Sequence, residues 1–286
     1  MHAFLIIAHN EFDILEKVIK LLDDNENHLY IHIDKKVKDF NFDKFSSIAK
    51  KSKIFFTNRI NVSWGGYSLV QCELLLLKEA IVHNYEYYHL ISGVDLPLKT
   101  NEEIHDFFNK NKGKEFISYD KNASDTEIES RIKYYYLLQD KFGRSSKLAY
   151  IIQACCIRIQ KILNVNRIKN IKYTLKKGTQ WFSITNNLAH YIVEKENEIY
   201  NLFRFGCCVD ELFLHTMVYN SNFRDKVAGD SLRYVDWIRG GPYTFTEEDF
   251  DDITSSDKIF ARKFSKKVDY DIVLKIEDYL NRKKLN

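Results

Sequence analysis

The segment Cys207-Cys208-Val209-Asp210-Glu211-Leu212-Phe213 places two adjacent carboxylates directly before an apolar run. Two readings of such a pair are physical. Carboxylates at a helix start satisfy free main-chain N–H groups and complement the positive end of the helix dipole. A carboxylate facing a cleft can instead take the proton of an attacking hydroxyl. Neighbouring helical positions diverge by about 100°, so one of the pair can cap while the other faces a cleft. Pattern alone puts capping ahead, and Glu211 is the candidate base. The last third of the chain also supplies Arg233, Arg239, Arg262 and Lys263. Such cations can stabilise a departing diphosphate where no metal does so.

Other chemistries find little support. Asp34 ends an apolar stretch but is followed by Lys35-Lys36, so no Asp-x-Asp stands there to hold a divalent ion. Asp249-Phe250-Asp251 and Asp269-Tyr270-Asp271 lie in acidic or terminal segments and read as helix surface. GxGxxG, GxxxxGK[ST] and GxSxG are all absent, which disfavours a nicotinamide oxidoreductase, a P-loop and a nucleophile elbow. The five cysteines, Cys72, Cys155, Cys156, Cys207 and Cys208, contain no CxxC, which favours a reducing compartment and offers no zinc signature. A net charge of +3 from 43 basic and 40 acidic residues excludes bulk attraction to nucleic acid.

The elements that must position these groups alternate in the first third. Phe4 to Ala8, His28 to Asp34, Lys53 to Thr57 and Tyr87 to Ile91 read as strands. Asp13 to Leu22 and Leu69 to Ala80 read as helices, the first from Ile14, Leu15, Val18, Ile19 and Leu22 at helical spacing. Thr100 and Glu103 form a capping box opening a helix over Glu102 to Asn109. Glu115 to Ser118 and Gln180 to Ile184 are further strands; helices follow at Leu188 to Glu194 and from near Asp210. A strand lies beyond Arg233, then a Gly240-Gly241-Pro242 turn and an acidic helix opened by Thr246. This order predicts an α/β fold, a mixed sheet flanked by helices, in one domain over 1–286 with a helical middle region over about 126–177. Ligands of such sheets sit outside the carboxyl ends of the strands, which sets His9, Asp34 and Asp95 at the relevant edge.

Trp64-Gly65-Gly66 permits close backbone approach, or is a plain turn with a buried Trp. Trp181 and Trp237 are more often core than sugar platforms, and Tyr134-Tyr135-Tyr136 more often straddle core and surface. Arg262, Lys263, Lys266, Lys267, Arg282, Lys283 and Lys284 make the C-terminal end basic; this reads as solvated surface, or as attraction to an anionic membrane face. No stretch of 18 apolar residues spans a membrane, and Met1 to Ala8 is too short an apolar run for a signal peptide.

The chain resembles the core-2/I-branching β-1,6-N-acetylglucosaminyltransferase and protein O-xylosyltransferase family, glycosyltransferase family 14, in its short bacterial form. The resemblance rests on seven segments in order: Ala3 to His9, Ile31 to Lys36, Val62 to Val70, Tyr88 to Thr100, Gly178 to Phe182, Val209 to Glu211 and Phe260 to Phe264. It implies a GT-A-like fold and metal-independent, inverting transfer from a UDP-sugar. It sets Glu211 on the family's catalytic base, which reverses the order of the two readings above. Arg233 and Lys263 fall on the cations that hold the diphosphate, Asp34 on a nucleotide contact at the second strand end, and Arg131 on a basic residue of the middle region. His9 and Arg131 join the nucleotide candidates; Asp95, Trp181 and Trp64 are the candidates for acceptor or sugar contact.

The expected cofactor is none, the expected partners a UDP-sugar and a glycan or lipid-linked glycan. The expected setting is a bacterial cytoplasm, peripheral to the inner membrane face, in surface polysaccharide assembly. GlcNAc is the first donor sugar, xylose the rival. A silent sugar-nucleotide or glycan-binding protein is the rival of another class. Ile128 stands three residues before Arg131, where some branching enzymes carry a basic residue, so the acceptor site departs from the family pattern.

Overall fold

A computed structural model describes residues 1–143 and 145–284. Strands β1 (His2–Ala8), β2 (Asn27–Ile33), β3 (Lys53–Phe56), β4 (Tyr87–Ser92) and β6 (Ser183–Thr185) form one sheet in the order β3-β2-β1-β4-β6. The first four are mutually parallel, and β6 runs antiparallel to β4. A smaller sheet joins β5 (Leu96–Pro97), β8 (Phe260–Arg262) and β7 (Arg233–Val235) in that order. This is the α/β mixed sheet flanked by helices that the element order predicts.

β1 shows why the sheet is apolar throughout. Ala3, Leu5 and Ile7 enter one core with Val70, Leu74 and Leu77 of the helix Tyr67–Ile81. Phe4, Ile6 and Ala8 enter the opposite core with Ile14, Leu15 and Val18 of the helix Phe12–Leu22. Side chains alternate across a strand, so helices on both faces demand an unbroken apolar run. The chain lays β1, β2 and β3 outward on one side and then places β4 on the other side of β1. That reversal opens a crevice at the carboxyl ends of β1 and β4. Gly93 allows their close approach: its N–H donates to Ile7 O at 2.9 Å, and a Cβ there would meet the Ala8 Cβ at 2.8 Å.

Three expectations need correction. Glu115 to Ser118 is no strand: Glu115 bridges Val227 and Phe116 bridges Ser183, so the ladder changes partner after one rung. The strand expected over Gln180 to Ile184 is confined to Ser183–Thr185. The middle region is helical over Asp125–Lys133, Gln139–Phe142 and Lys147–Ile162 but carries no helix from 163 to 177. The Thr100–Glu103 capping box is present, as is one at Thr246 with Asp249.

The basic C-terminal end is folded onto the protein. The helix Asp271–Lys283 buries Ile272, Val273, Ile276 and Leu280. Lys266 pairs with Asp13 at 2.7 Å and Lys283 with Glu103 at 2.6 Å, and Arg282 pairs with Asp278. Among the described residues, no helix is long and apolar enough to cross a membrane.

Candidate active site

At the carboxyl ends of β1 and β2 the main chain is tied first. Asp34 N donates to Ala8 O at 3.0 Å, and Arg59 donates from Nε to Ile33 O at 3.0 Å and from Nη2 to Asp34 O at 2.7 Å. The buried Asp34 carboxylate accepts from Lys36 N at 2.8 Å and pairs with Lys36 Nζ at 3.4 Å. His9 stands beside it. Packing around its ring lowers its pKa below the ordinary value; Lys36 and Lys263 push the same way, and Asp34 opposes them. The charge of Lys263 thus reaches His9, as those of Asp34 and Lys36 do. Its main chain is fixed by Lys263 N donating to Tyr243 O at 3.3 Å and Phe245 N donating to Lys263 O at 3.0 Å. Its ammonium has no carboxylate within ion-pair distance among the described residues.

Asp210 and Glu211 lie in a single tight turn, Val209–Glu211, ahead of the helix Phe213–Tyr219. Neither element has a side-chain cap at its N-cap residue, Cys208 or Leu212, and both carboxylates stand in the first turn of Val209–Glu211. They diverge as adjacent helical positions must. Asp210 points inward and is 8% exposed. Glu211 points outward with its side chain 34% exposed, paired with Arg131 Nη1 at 2.6 Å. Arg131 also donates to Cys208 O at 3.1 Å and to Glu127 at 3.1 Å. Lys177 continues the chain of charges, to Glu127 at 3.0 Å and Asp120 at 2.9 Å. Arg131, expected on the nucleotide, is thus the side chain that orients the candidate base.

Behind Glu211 the packing is unusually polar. Burial, then the neighbouring Glu211 charge, pushes the Asp210 carboxyl up to about 7. Glu73, fully buried on the helix Tyr67–Ile81, is pushed well above the carboxylate range by burial and by Asp210, with Gln180 donating to it at 3.0 Å. Glu73 Oε2 and Asp210 Oδ1 are both buried without a hydrogen-bond partner, and burial opposes ionising both carboxyls at neutral pH. Glu211 O accepts from Gly178 N at 2.9 Å. A Cβ on Gly178 would meet Ser118 O at 2.0 Å and His215 Nε2 at 2.1 Å, so only glycine brings this segment close enough to hold the turn.

The remaining candidates are placed otherwise than expected. Arg233 is 6% exposed. Its guanidinium donates to Leu90 O at 2.8 Å, Phe182 O at 2.6 Å and Ser183 Oγ at 2.8 Å, and also to Ser231 O. The fork expected on a diphosphate is spent on the main chain of β4 and of the segment entering β6, because those carbonyls lie where the small sheet docks. Asp95 is fully buried; it accepts from Ser92 N at 2.9 Å and Ser92 Oγ at 2.5 Å and pairs with Arg262 Nε at 3.3 Å. Arg262 in turn lies with Cζ 4.1 Å from the Trp181 ring centroid. Asp95 and Trp181 thus support Arg262 rather than offering open faces to a sugar. Arg239 pairs with Asp236 and with Asp249, which is 5% exposed rather than helix surface. Trp64, at 48% exposure, is the open aromatic of this region. Its loop is tied to the base segment, Cys208 N donating to Gly65 O at 2.8 Å.

Sequence reasoning missed Glu73, Lys36 and Gly178. Glu73 carried a signal: with Val70, Leu74 and Leu77 it falls on the buried stripe of its helix, where a carboxylate is costly. Gly178 opens one of the segments of the family resemblance, but its role was not legible, since its neighbours Ser118 and His215 are remote in sequence. Among the described residues, no group of three or more His, Cys, Asp or Glu is arranged to hold a metal ion.

Rat (Rattus norvegicus) xylosyltransferase 2 is 23% identical over 97% of this chain and 33% of its own length. Xylosyltransferase sqv-6 of Caenorhabditis briggsae is 23% identical over 86% of this chain and 32% of its own. The chain thus spans about a third of the length of the curated relatives it matches. Among solved structures, apo mouse xyloside xylosyltransferase 1 aligns over 91% of this chain and 97% of its own, at 10% identity and a TM-score of 0.40. The model of the Core-2/I-Branching enzyme family matches residues 2–257, and the chain belongs to that family.

Proposed function

We propose that this chain is an inverting glycosyltransferase, one GT-A-like transferase domain that moves a sugar from a UDP-sugar to a glycan hydroxyl without a divalent metal. Glu211 takes the acceptor proton as the acceptor oxygen attacks C1 from the face opposite UDP. The C1–O bond to the diphosphate breaks as the new bond forms, and the electron pair leaves with UDP. Lys263, with Lys36 and His9 beside it, lies against the departing diphosphate; Asp34 faces the nucleotide. Arg131 positions Glu211. Arg233 acts at a distance, by holding the small sheet that carries Lys263 against the large one.

The observation that carries this reading is the Asp210–Glu211 turn. Adjacent carboxylates are split between a buried, proton-holding position and an outward one held by Arg131 at 2.6 Å. A mere cap has no need of that split. GlcNAc is the first donor choice, by the resemblance of the sequence segments to the branching N-acetylglucosaminyltransferases; the xylosyltransferase relatives support UDP-xylose as the alternative. A glycan carried on a lipid is the acceptor class that fits best with the surface described next. UDP release from UDP-GlcNAc and UDP-xylose, measured over a panel of glycan acceptors in excess EDTA, tests the reading. No turnover with any UDP-sugar alongside UDP binding would leave only the silent sugar-nucleotide binder.

A further inference from the structure

The helix Lys147–Ile162 is turned the wrong way round for a protein surrounded only by water. Its inner face is small and polar: Ala149 and Gln153 are its buried residues. Gln153 accepts from Leu138 N at 2.9 Å and donates to Tyr135 O at 3.3 Å. Gln160 accepts from Tyr135 N at 2.8 Å and donates to Tyr135 O at 3.0 Å. Its outer face carries Leu148, Ile151, Ile152, Ile159 and Ile162, exposed by 67%, 58%, 45%, 56% and 78%. At 3.6 residues per turn these five fall within a stripe roughly 100° wide. A contiguous exposed apolar stripe of this kind marks an interaction surface.

Charge selects the occupant. Between Lys141 and Lys177 the sequence holds ten lysines and arginines and not one aspartate or glutamate. Lys147, Arg158, Lys169 and Lys172 are exposed and pair with no carboxylate among the described residues. Two copies of the chain packed through this face would set like charges against each other. An anionic bilayer accepts both features at once, the isoleucines below the headgroups and the cations among them.

We propose that the helix Lys147–Ile162 lies in the interface of an anionic membrane. It is a different surface from the basic C-terminal end, where Lys266 and Lys283 are engaged with Asp13 and Glu103. The helix is also coupled to the candidate site. The segment beneath it donates from Gln139 Nε2 to Trp64 O at 2.9 Å and accepts at Asp140 from Ser68 N at 2.7 Å. An apolar groove of about 330 Å³ between helix and segment reaches Cys207, four residues before Glu211. On the proposed transferase activity, which the membrane binding itself does not require, an acceptor held in the bilayer by a lipid would arrive beside the base.

The test is co-sedimentation of the full chain with vesicles of equal parts phosphatidylglycerol and phosphatidylcholine, and with vesicles of phosphatidylcholine alone. The protein is expected to pellet with the anionic vesicles and not with the neutral ones. Ile151→Ser/Ile159→Ser/Ile162→Ser and, separately, Lys147→Glu/Arg158→Glu should each weaken that binding at least about tenfold. All five positions are exposed, and circular dichroism should show both variants folded. UDP release onto a water-soluble acceptor should stay as in the unsubstituted chain, so a failed membrane arm and a failed transferase arm are read separately. Protein left in the supernatant, or an isoleucine variant that pellets fully, overturns the proposal. A lipid-free dimer in analytical ultracentrifugation that the isoleucine variant abolishes also overturns it, by assigning the face to a second copy.

Discussion

Around Glu211 the charges close on one another: Glu211 with Arg131, Arg131 with Glu127, Glu127 with Lys177, Lys177 with Asp120. Around His9 they do not. Asp34 and Lys36 pair at 3.4 Å, and the Lys263 ammonium beside them has no such partner among the described residues. The difference is the one that the proposed roles of the two regions call for. A reagent that has to be aimed is best held by partners already in place, since an ordered network costs no further ordering when substrate arrives. A cation meant for a ligand is best left without an internal partner, because breaking a formed pair would subtract from binding. Arg233 shows how residue type alone misleads here: it is a cation of the last third like Lys263, yet its donors are used up inside the fold.

The sharpest break of this comparison is Glu211→Gln. It should lower turnover by about 100-fold or more while UDP binding by calorimetry stays nearly unchanged. Undiminished turnover would return Glu211 to a structural role. Next, Lys263→Ala should cost about 3 kcal/mol of transition-state stabilisation, measured as kcat/KM, with the melting temperature little changed. Arg233→Met should do the reverse, lowering thermal stability by several kcal/mol because buried carbonyls lose their donors. A stable Arg233→Met protein with a specific loss of kcat would put Arg233 back on the diphosphate.

A smaller effect concerns the buried pair behind the base. The Asp210 carboxyl is raised in the folded protein from 3.8 to about 7. The folded state therefore keeps a proton that the unfolded chain gives up. Stability from that proton is complete at acid pH, below the unfolded value, and is lost as pH rises towards and through about 7. Asp210→Asn should flatten this slope in denaturant titrations run from pH 5 to 8. An unaltered slope would show that Asp210 does not hold the proton. The smallest expected change is none: excess EDTA should leave UDP release intact, and a strict Mn²⁺ or Mg²⁺ requirement would overturn the assignment of Lys263.

Much of the scaffold was legible because its cause is local. The unbroken apolar run of Phe4 to Ala8, the helical spacing from Ile14 to Leu22 and the Thr100–Glu103 box each declare an element from neighbouring residues alone. Strands whose partners change, such as Glu115 and Phe116, were not legible, since their pairing depends on Val227 and Ser183 far along the chain. Within the site, Glu211 could be named but not distinguished from a cap. What the fold added is the three-residue turn, the buried Asp210 and Arg131 arriving from another helix.

Sequence by itself determined the apolar run of β1 and the buried stripe of the helix Phe12–Leu22, the strand ends that face the crevice, and the presence of a carboxylate pair and a set of cations. Only the tertiary structure decided which of them are free to act. Whether a charge is available depends on the partners that folding brings within about 4 Å, and those come from everywhere in the chain. It left Lys263 open and enclosed Arg233, and it turned the isoleucines of the middle helix outward.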